Sequence, residues 1–388
     1  MPRKTPPPTR DGILSGAIAQ RLNETLLWLC SIPSPIGEEK KLCDAVQARL
    51  KKLPHVGAIM RFGDSIVAPL VTAPLLPHAR PAKTRRPRIA LVGHLDTVRT
   101  ENGPAHLEGE RCYGAGASDM KSGLATMLLL AETLVPKDLA CDLTLVFYAR
   151  EEGAFQDNEL GVVLDRYKDL HSFDLAVCLE PSDNRLHLGC NGSVHATLTF
   201  EGKTAHSARP WEGDNAISKA APLLAEVAAR TPVEVTIDGL VYKSVFSLTQ
   251  AKDGGRGRNV VPDRFLLNLN HRFVPTTSIE QAKKDILALV AGRAKVDFVD
   301  LSPAAMPNAD HPLVKALRAC GIRGTEPKQA WTDVARFAQI GVRAINFGPG
   351  ENAQAHQKNE STSLALLHEG YGILRQWLLT LDRATEPS

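Results

Sequence analysis

Seven acidic and imidazole side chains stand at a few points along the chain, most of them just beyond an apolar run. His94 and Asp96 close the stretch RIALVGHLD. Asp119 lies in the glycine-rich YGAGASDMKSG, and Glu151 and Glu152 adjoin in YAREEG. Glu180 ends CLE, and His356 stands in the loop GPGENAQAHQKNE. An extended His94-Leu95-Asp96 turns imidazole and carboxylate to one face, because side chains alternate along a strand. A ligating histidine commonly gives its second ring N–H to a carboxylate or carbonyl, and Asp96 is the expected partner of His94. Adjacent carboxylates such as Glu151 and Glu152 repel each other unless a counter-charge is near. One acid at a strand end reads as a cap or a surface charge. Five such groups in one crevice do not, since buried acids need cations. Two histidines and three carboxylates suffice for two divalent metals, with one carboxylate shared and an open position on each. Metals about 3.5–4 Å apart lower the pKa of a bridging water and polarise a carbonyl. One glutamate of the adjacent pair would then remain free to take the water's proton.

The elements that must position these groups follow from periodicity. The apolar runs 89–93, 143–149 and 175–179 read as strands, and 122–135 has apolar residues at helical spacing. Strand, helix, strand in this order predicts a largely parallel sheet covered on both faces. In open sheets of this kind the ligand crevice lies beyond the carboxyl ends of the strands, where the polar groups cluster. Helical patterns also cover 17–28, 38–53 and 363–381. From Gly192 the texture changes. SVHATLTFEGK and FLLNLNHRF alternate strictly, which predicts a sheet with one covered face. With helical patterns at 216–229 and 279–290 the order is β-α-β-β-α-β, a ferredoxin-like module. The expected fold class is therefore α/β. A mainly parallel-sheet catalytic domain is made of 1–190 and 305–388, with a ferredoxin-like α+β lid or dimerisation domain inserted at 191–304.

The length of 388 residues favours two domains, and 43% hydrophobic with 23% charged residues is ordinary for a globular chain. A net charge of +3 argues against nucleic acid as partner. The basic run Arg80–Arg88 lies between proline-rich turns and reads as a solvated loop. Met1–Gly12 has charge but no apolar core, so neither a secretory signal nor a structured start is expected. No window approaches the roughly 18 apolar residues of a membrane span. Seven cysteines without CxxC spacing point to reduced thiols in a cytoplasm.

The motifs GHLDTV, GASDMKSG, REEG, LEP and AHQKNE, in this order and spacing, resemble the M20 family of co-catalytic zinc amidohydrolases. The likeness runs from about residue 26 to 379, and GKTAHSARPWEGDNAI with GRGRNVVPD resembles that family's lid. WTDVARF, NFGPG and AHQKNE look most like its actinobacterial succinyl-diaminopimelate desuccinylases. The resemblance implies that His94, Asp119 and Glu180 hold one metal and that Asp119, Glu152 and His356 hold the other. Zinc is the expected ion, with cobalt as a substitute. Glu151 would be the general base, and Asp96 would orient His94. His206 would reach from the lid to the scissile carbonyl oxygen, supplied by the second subunit in dimeric members. Arg258 and Asn259 would meet a substrate carboxylate, Asn215 would make a lesser lid contact, and Thr332 with Gly348–Gly350 would line the substrate end. The implied partners are a small N-acyl amino acid and a second copy of the chain, joined through the lid.

The ligands alone do not separate a desuccinylase from an acetylornithine deacetylase or a glutamate-releasing carboxypeptidase. Proteobacterial desuccinylases carry an arginine pair before a Gly-Ser where this chain has Cys190-Asn191, so succinate recognition does not follow from that position. Glu360, four residues after His356, reads as a loop or helix-start residue. A binding protein that had lost catalysis would be expected to lack a ligand or the base, and none is missing. A nucleotide-binding protein would need a phosphate loop, and GAGASDMKSG has neither the glycine nor the lysine spacing for one.

Overall fold

The computed structural model describes residues 15–70, 86–253 and 255–381. The tail Met1–Gly12 and residues 80–85 of the basic run lie outside them. The run that ends at His94 forms the strand Arg88–His94. It pairs in parallel with Asp142–Tyr148 on one side and Leu175–Cys178 on the other, and Ala344–Asn346 pairs in parallel with the last of these. Met60–Phe62 and Ser65–Pro69 at one edge, with Leu186–Leu188 and Thr325–Pro327 at the other, complete an eight-stranded sheet. The α/β class expected from the sequence is the one found.

Both faces of this sheet are covered, which is why its central strands are apolar almost throughout. Leu91, Leu145 and Val177 pack towards the helices Gly16–Cys30, Lys40–Leu50, Lys121–Thr133 and Leu364–Thr380. Ala90, Val92, Val146 and Ala176 face the other way, onto Glu159–Arg166 and Val334–Gln339. The helix after Asp119 stops at Thr133 rather than Val135, because Val135 precedes Pro136 and is pushed out of the helical region. Strand register aligns the carboxyl ends. His94 lies opposite Tyr148, and Val92 opposite Cys178, so Glu180 emerges level with His94.

Residues 192–302 form a second, five-stranded antiparallel sheet, ordered Val233–Ile237, Leu240–Asp253, Arg264–Phe273, Gly192–Glu201, Lys295–Ser302. The last four strands, with helices Ala216–Ala228 and Ile279–Val290, follow the β-α-β-β-α-β order. Val233–Ile237 is an addition that the periodicity reading lacked. It belongs to a hairpin whose two turn residues, Asp238 and Gly239, have φ of 51° and 77°. Asp-Gly is a strong signal for such a turn, and it stands in the sequence. Val194, Ala196, Leu198 and Phe200 meet the two helices, leaving His195 and Thr197 on the other face. The two sheets are joined where Cys190 and Ala305 exchange backbone hydrogen bonds of 3.1 and 3.0 Å, and where the Tyr242 hydroxyl donates to the Leu188 carbonyl at 2.6 Å.

Gly123 shows how tightly the helix after Asp119 sits on the sheet. A Cβ there would lie 2.6 Å from the Leu179 carbonyl oxygen, which is backbone and does not swing aside. Alanine favours a helix over glycine by about 1 kcal/mol, but overpacking costs about 1–3 kcal/mol. Gly123→Ala is therefore expected to lower the urea unfolding midpoint and, because Leu179 precedes Glu180, to lower activity as well. A raised midpoint would show the contact to be loose.

Candidate active site

The acidic and imidazole groups expected from the sequence converge beyond the carboxyl ends of Arg88–His94, Asp142–Tyr148 and Leu175–Cys178. His94, Asp119 and Glu180 offer ligand atoms within 4.8 Å of one another, and so do Asp119, Glu152 and His356. Asp119 belongs to both groups. His94 Nε2 lies 3.2 Å from Asp119 Oδ1, and His356 Nε2 lies 2.9 Å from Glu152 Oε2 and 3.7 Å from Asp119 Oδ2. A third grouping of His94, Glu151 and Glu152 meets the same distance, so Glu151 also stands at the centre.

Burying these acids together has a visible electrostatic cost. Burial, then the charges of Glu180 and Glu152, lift the Glu151 carboxyl well above its ordinary range. Glu180 is pushed up to about 7, by burial first and then by Asp119. Burial would depress the His94 pKa, but the hydrogen bond to Asp119 and the charges of Asp96, Glu151 and Glu180 raise it well above normal. The bond to Glu152 lifts His356 to about 9. The cluster therefore draws positive charge, and divalent cations would supply it. Glu180 Oε1 is buried with no hydrogen-bond partner, as a donor oriented for a cation would be. Two imidazoles and three carboxylates suit such ions.

Three further carboxylates hold this arrangement. Asp96 is the partner of the His94 ring, as expected, but through its backbone carbonyl. His94 Nδ1 lies 3.0 Å from the Asp96 backbone carbonyl but 3.6 Å from its carboxylate. The carboxylate oxygens instead accept the backbone N–H groups of Glu151 and Glu152, at 3.0 and 2.9 Å. The tight turn after Tyr148 offers two adjacent N–H donors, and a carboxylate satisfies both. Glu360 carries a role that the sequence reading did not give it. It is a loop residue, as expected, but a buried one that acts as an anchor, accepting N–H groups from Gly116, Ser118 and Asp119, each at 2.8 Å. Burial lifts its carboxyl to about 7 against the pull of those three donors. Asp333, in WTDVARF, was missed. It accepts from the Tyr148 hydroxyl at 2.7 Å and from Asn158 Nδ2 at 3.0 Å, and it lies 2.7 Å from Arg336 Nε. An acid followed three residues later by a base was the only signal for it.

The expected substrate residues fall into two sets. Thr332 is buried, with its hydroxyl unpartnered. Gly348 and Gly350 pack against backbone, since a Cβ on them would lie 2.3 Å from the Leu179 carbonyl and 2.2 Å from the Ser118 carbonyl. Arg258 and Asn259 are exposed on the second sheet's loop, where the Asn259 carbonyl accepts the Ser207 N–H at 2.8 Å. His206 is exposed in the short strand Ala205–His206, and its Nδ1 accepts the Ala208 N–H at 3.1 Å. Asn215 caps the helix Ala216–Ala228 through its side-chain oxygen, so that oxygen is already engaged.

An α/β chain with two ligand groups sharing one aspartate, and a further glutamate beside them, has the donor set of a di-metal hydrolase. Residues 90–380 match peptidase family M20/M25/M40, and the chain belongs to that family, whose enzymes hydrolyse amide bonds. It is 34% identical over 358 residues to a succinyl-diaminopimelate desuccinylase of Corynebacterium glutamicum, covering 90% of this chain and 94% of the relative. Among solved structures it resembles an aminopeptidase PepT of Bacillus cereus (TM-score 0.72, 18% identity, 94% of this chain and 99% of that one). It also resembles YxeP of Bacillus subtilis, described as a dinuclear metal-binding peptidase of the M20 family (TM-score 0.65, 13% identity, 95% of this chain and 99% of that one).

If Glu360 anchors the Asp119 turn, its removal should be felt at both levels. Each buried N–H left without an acceptor costs about 1–3 kcal/mol. Glu360→Ala should thus lower unfolding stability and activity together, and Glu360→Gln, which keeps one accepting oxygen, should lose less of both. Equal effects of the two substitutions in denaturation and rate measurements would count against the anchor.

Proposed function

We propose that this protein hydrolyses N-succinyl-LL-2,6-diaminopimelate to succinate and LL-2,6-diaminopimelate, in lysine biosynthesis in the cytoplasm. The observation that carries a di-metal amide hydrolase is the pair of ligand groups joined at Asp119 with Glu151 beside them. The likeness to the corynebacterial relative supports the substrate. The cytoplasmic reading draws on the cysteines, which are free throughout the described residues. No described helix is long and apolar enough to cross a membrane.

His94, Asp119 and Glu180 would hold one divalent ion and Asp119, Glu152 and His356 the other. Imidazole and carboxylate without thiolate favour zinc, with cobalt as a substitute. Such ions would acidify a water between them and polarise the amide carbonyl. The remaining steps belong to the chain's own groups. Glu151, beside both ligand groups, takes a proton from the attacking water and returns it to the leaving amine. Asp96 fixes its backbone while this happens. His206 accepts an N–H at Nδ1, which leaves the proton on Nε2 for donation to the carbonyl oxygen as charge develops there. Arg258 and Asn259 meet a substrate carboxylate, for which a guanidinium has the matching fork. Thr332 and the Gly348–Gly350 turn border the acyl end, and the Asn215 amide makes a lesser contact.

Residues 191–304 act in this reading as lid and dimerisation domain upon a catalytic domain of 1–190 and 305–388. Trp211, Val233, Val241 and Val299 are large apolar side chains exposed on it, which suits a surface that a second copy covers.

An amine-release assay across succinyl-diaminopimelate, acetylornithine and acyl-glutamates tests the substrate. The succinyl compound should give the highest kcat/KM, chelation should abolish turnover, and zinc or cobalt should restore it. In the same assay Glu151→Gln should keep both metals and lose at least about 100-fold in kcat. Loss of metal from that variant, with Glu152→Gln harmless, would exchange the roles of the two glutamates.

A role for His206 across a dimer has its own test. His206→Ala should lower kcat strongly with metal content unchanged. Mixing it with Glu151→Gln should restore part of the activity, because one site in each heterodimer then has both groups. Subunit exchange without recovery would place the histidine in its own subunit's site.

A further inference from the structure

Glu151 and Glu152 stand in a turn whose two ends are held by side chains. Asp96 takes their N–H groups at 3.0 and 2.9 Å, and Asn158 closes the segment by capping the helix Glu159–Arg166. Between these points Arg336 grips the backbone. Its Nη2 donates to the Phe155 carbonyl, and its guanidinium carbon lies 3.8 Å from the centre of the Phe155 ring. Its Nε lies 2.7 Å from Asp333 Oδ1. A Cβ on Gly161 would stand 2.9 Å from Arg336 Nη1, so the helix after the turn also rests on the guanidinium. Arg336 is only 7% exposed.

These contacts do not serve the helix that bears Arg336. Asp333 precedes Val334–Gln339 yet caps none of its N–H groups, and its carboxylate turns to Tyr148 and Asn158 instead. Trp331 completes the stack. Its ring meets Phe155 edge to face with centroids 5.6 Å apart, lies 5.7 Å from the Arg336 guanidinium, and donates from Nε1 to the Pro303 carbonyl at 3.0 Å. Pro303 follows the strand Lys295–Ser302, so the stack is seated where the second sheet returns to the first. Arginine suits this place because a planar fork can pair with an acid, donate to a carbonyl and stack on a ring at once, whereas an ammonium cannot.

We propose that Arg336 is a positioning residue for amide hydrolysis, setting Glu151 against the attacking water by fixing the Phe155 end of the turn that carries it. The inference rests on the reaction and the base role proposed above. Phe155 lies four residues beyond Glu151, and so short a turn passes a displacement of one end to the other. A general base must stand within hydrogen-bond reach of the proton it takes, and a misplacement of about 1 Å can cost about 100-fold in rate. Arg258 and Asn259, which meet the substrate in that reading, make none of the contacts of this stack. A disturbed Arg336 should therefore be felt in kcat rather than in KM.

The test uses the metal-loaded enzyme with succinyl-diaminopimelate, at a temperature where each variant is fully folded. Arg336→Lys keeps the charge facing Asp333, and Phe155→Leu keeps the bulk and the carbonyl but not the ring. Arg336→Lys should lower kcat about tenfold or more with KM and metal content close to native, and Phe155→Leu should do the same to a smaller extent. The lysine substitution made in Glu151→Gln should cost little further, because residues that act through one group are not additive. In hydrogen exchange the peptide covering 151–158 should exchange faster in Arg336→Lys, with the helix Lys121–Thr133 unchanged. An undiminished kcat in either variant, a fall traced to lost metal, or a full further loss in the Glu151→Gln background would overturn the proposal. A Glu151→Gln enzyme as fast as the wild type, or a wild type that does not cleave the substrate, would reject the proposed reaction instead. Exchange at 151–158 would then decide the positioning by itself, and native exchange there in Arg336→Lys would overturn it.

Discussion

Carboxylates crowded into a buried space repel one another, and most features of this protein follow from how that repulsion is managed. Asp119, Glu151, Glu152 and Glu180 reach one point from a glycine-rich turn and two strand ends. Burial and the neighbouring charges make Glu151 and Glu180 harder to ionise. The result is a Glu180 carboxyl raised to about 7 by burial and Asp119, and two histidines drawn towards the protonated form. A fold that assembles such a cluster must hold it by something other than the mutual attraction of its members.

Backbone N–H groups do the holding, through a second set of acids. Asp96 takes the amides of Glu151 and Glu152, and Glu360 takes three amides of the Asp119 turn. Asp333 ties the end of the Tyr148 strand to the Asn158 helix cap and to Arg336. An N–H dipole stabilises a carboxylate without adding a mobile charge, and in Glu360 three such donors work against the burial that lifts its carboxyl to about 7. Each anchor also joins segments distant in the chain. Glu360 reaches back more than two hundred residues, which links the loop of His356 to the turn of Asp119. The two ligand groups that share Asp119 are thereby set relative to each other by one buried side chain.

Close backbone approach supplies the rest of the precision. Gly123, Gly348 and Gly350 let a helix and a loop lie against the backbone of Leu179, Glu180 and Ser118 at distances that a Cβ would forbid. The second sheet is attached where Cys190 pairs with Ala305 and where Tyr242 reaches Leu188.

Residue type and short-range periodicity were enough to find the parallel strands, the helices that cover them and the seven polar groups at issue, while the choice of five of them as two ligand sets came from the resemblance to the M20 family. These depend on local alternation and on chemistry that few residues possess. Strand ends in a parallel sheet align of necessity, so acids placed just after apolar runs had to meet. The strand Val233–Ile237 was also legible, in the Asp238-Gly239 turn, although periodicity alone passed over it. The anchors were not. Glu360 and Asp333 are ordinary acids in loop-like sequence, and nothing local distinguishes a surface carboxylate from one that receives three backbone amides. Asp96 was recognised, but the choice between the His94 ring and the Glu151–Glu152 amides depends on a turn that exists only once the strands are paired.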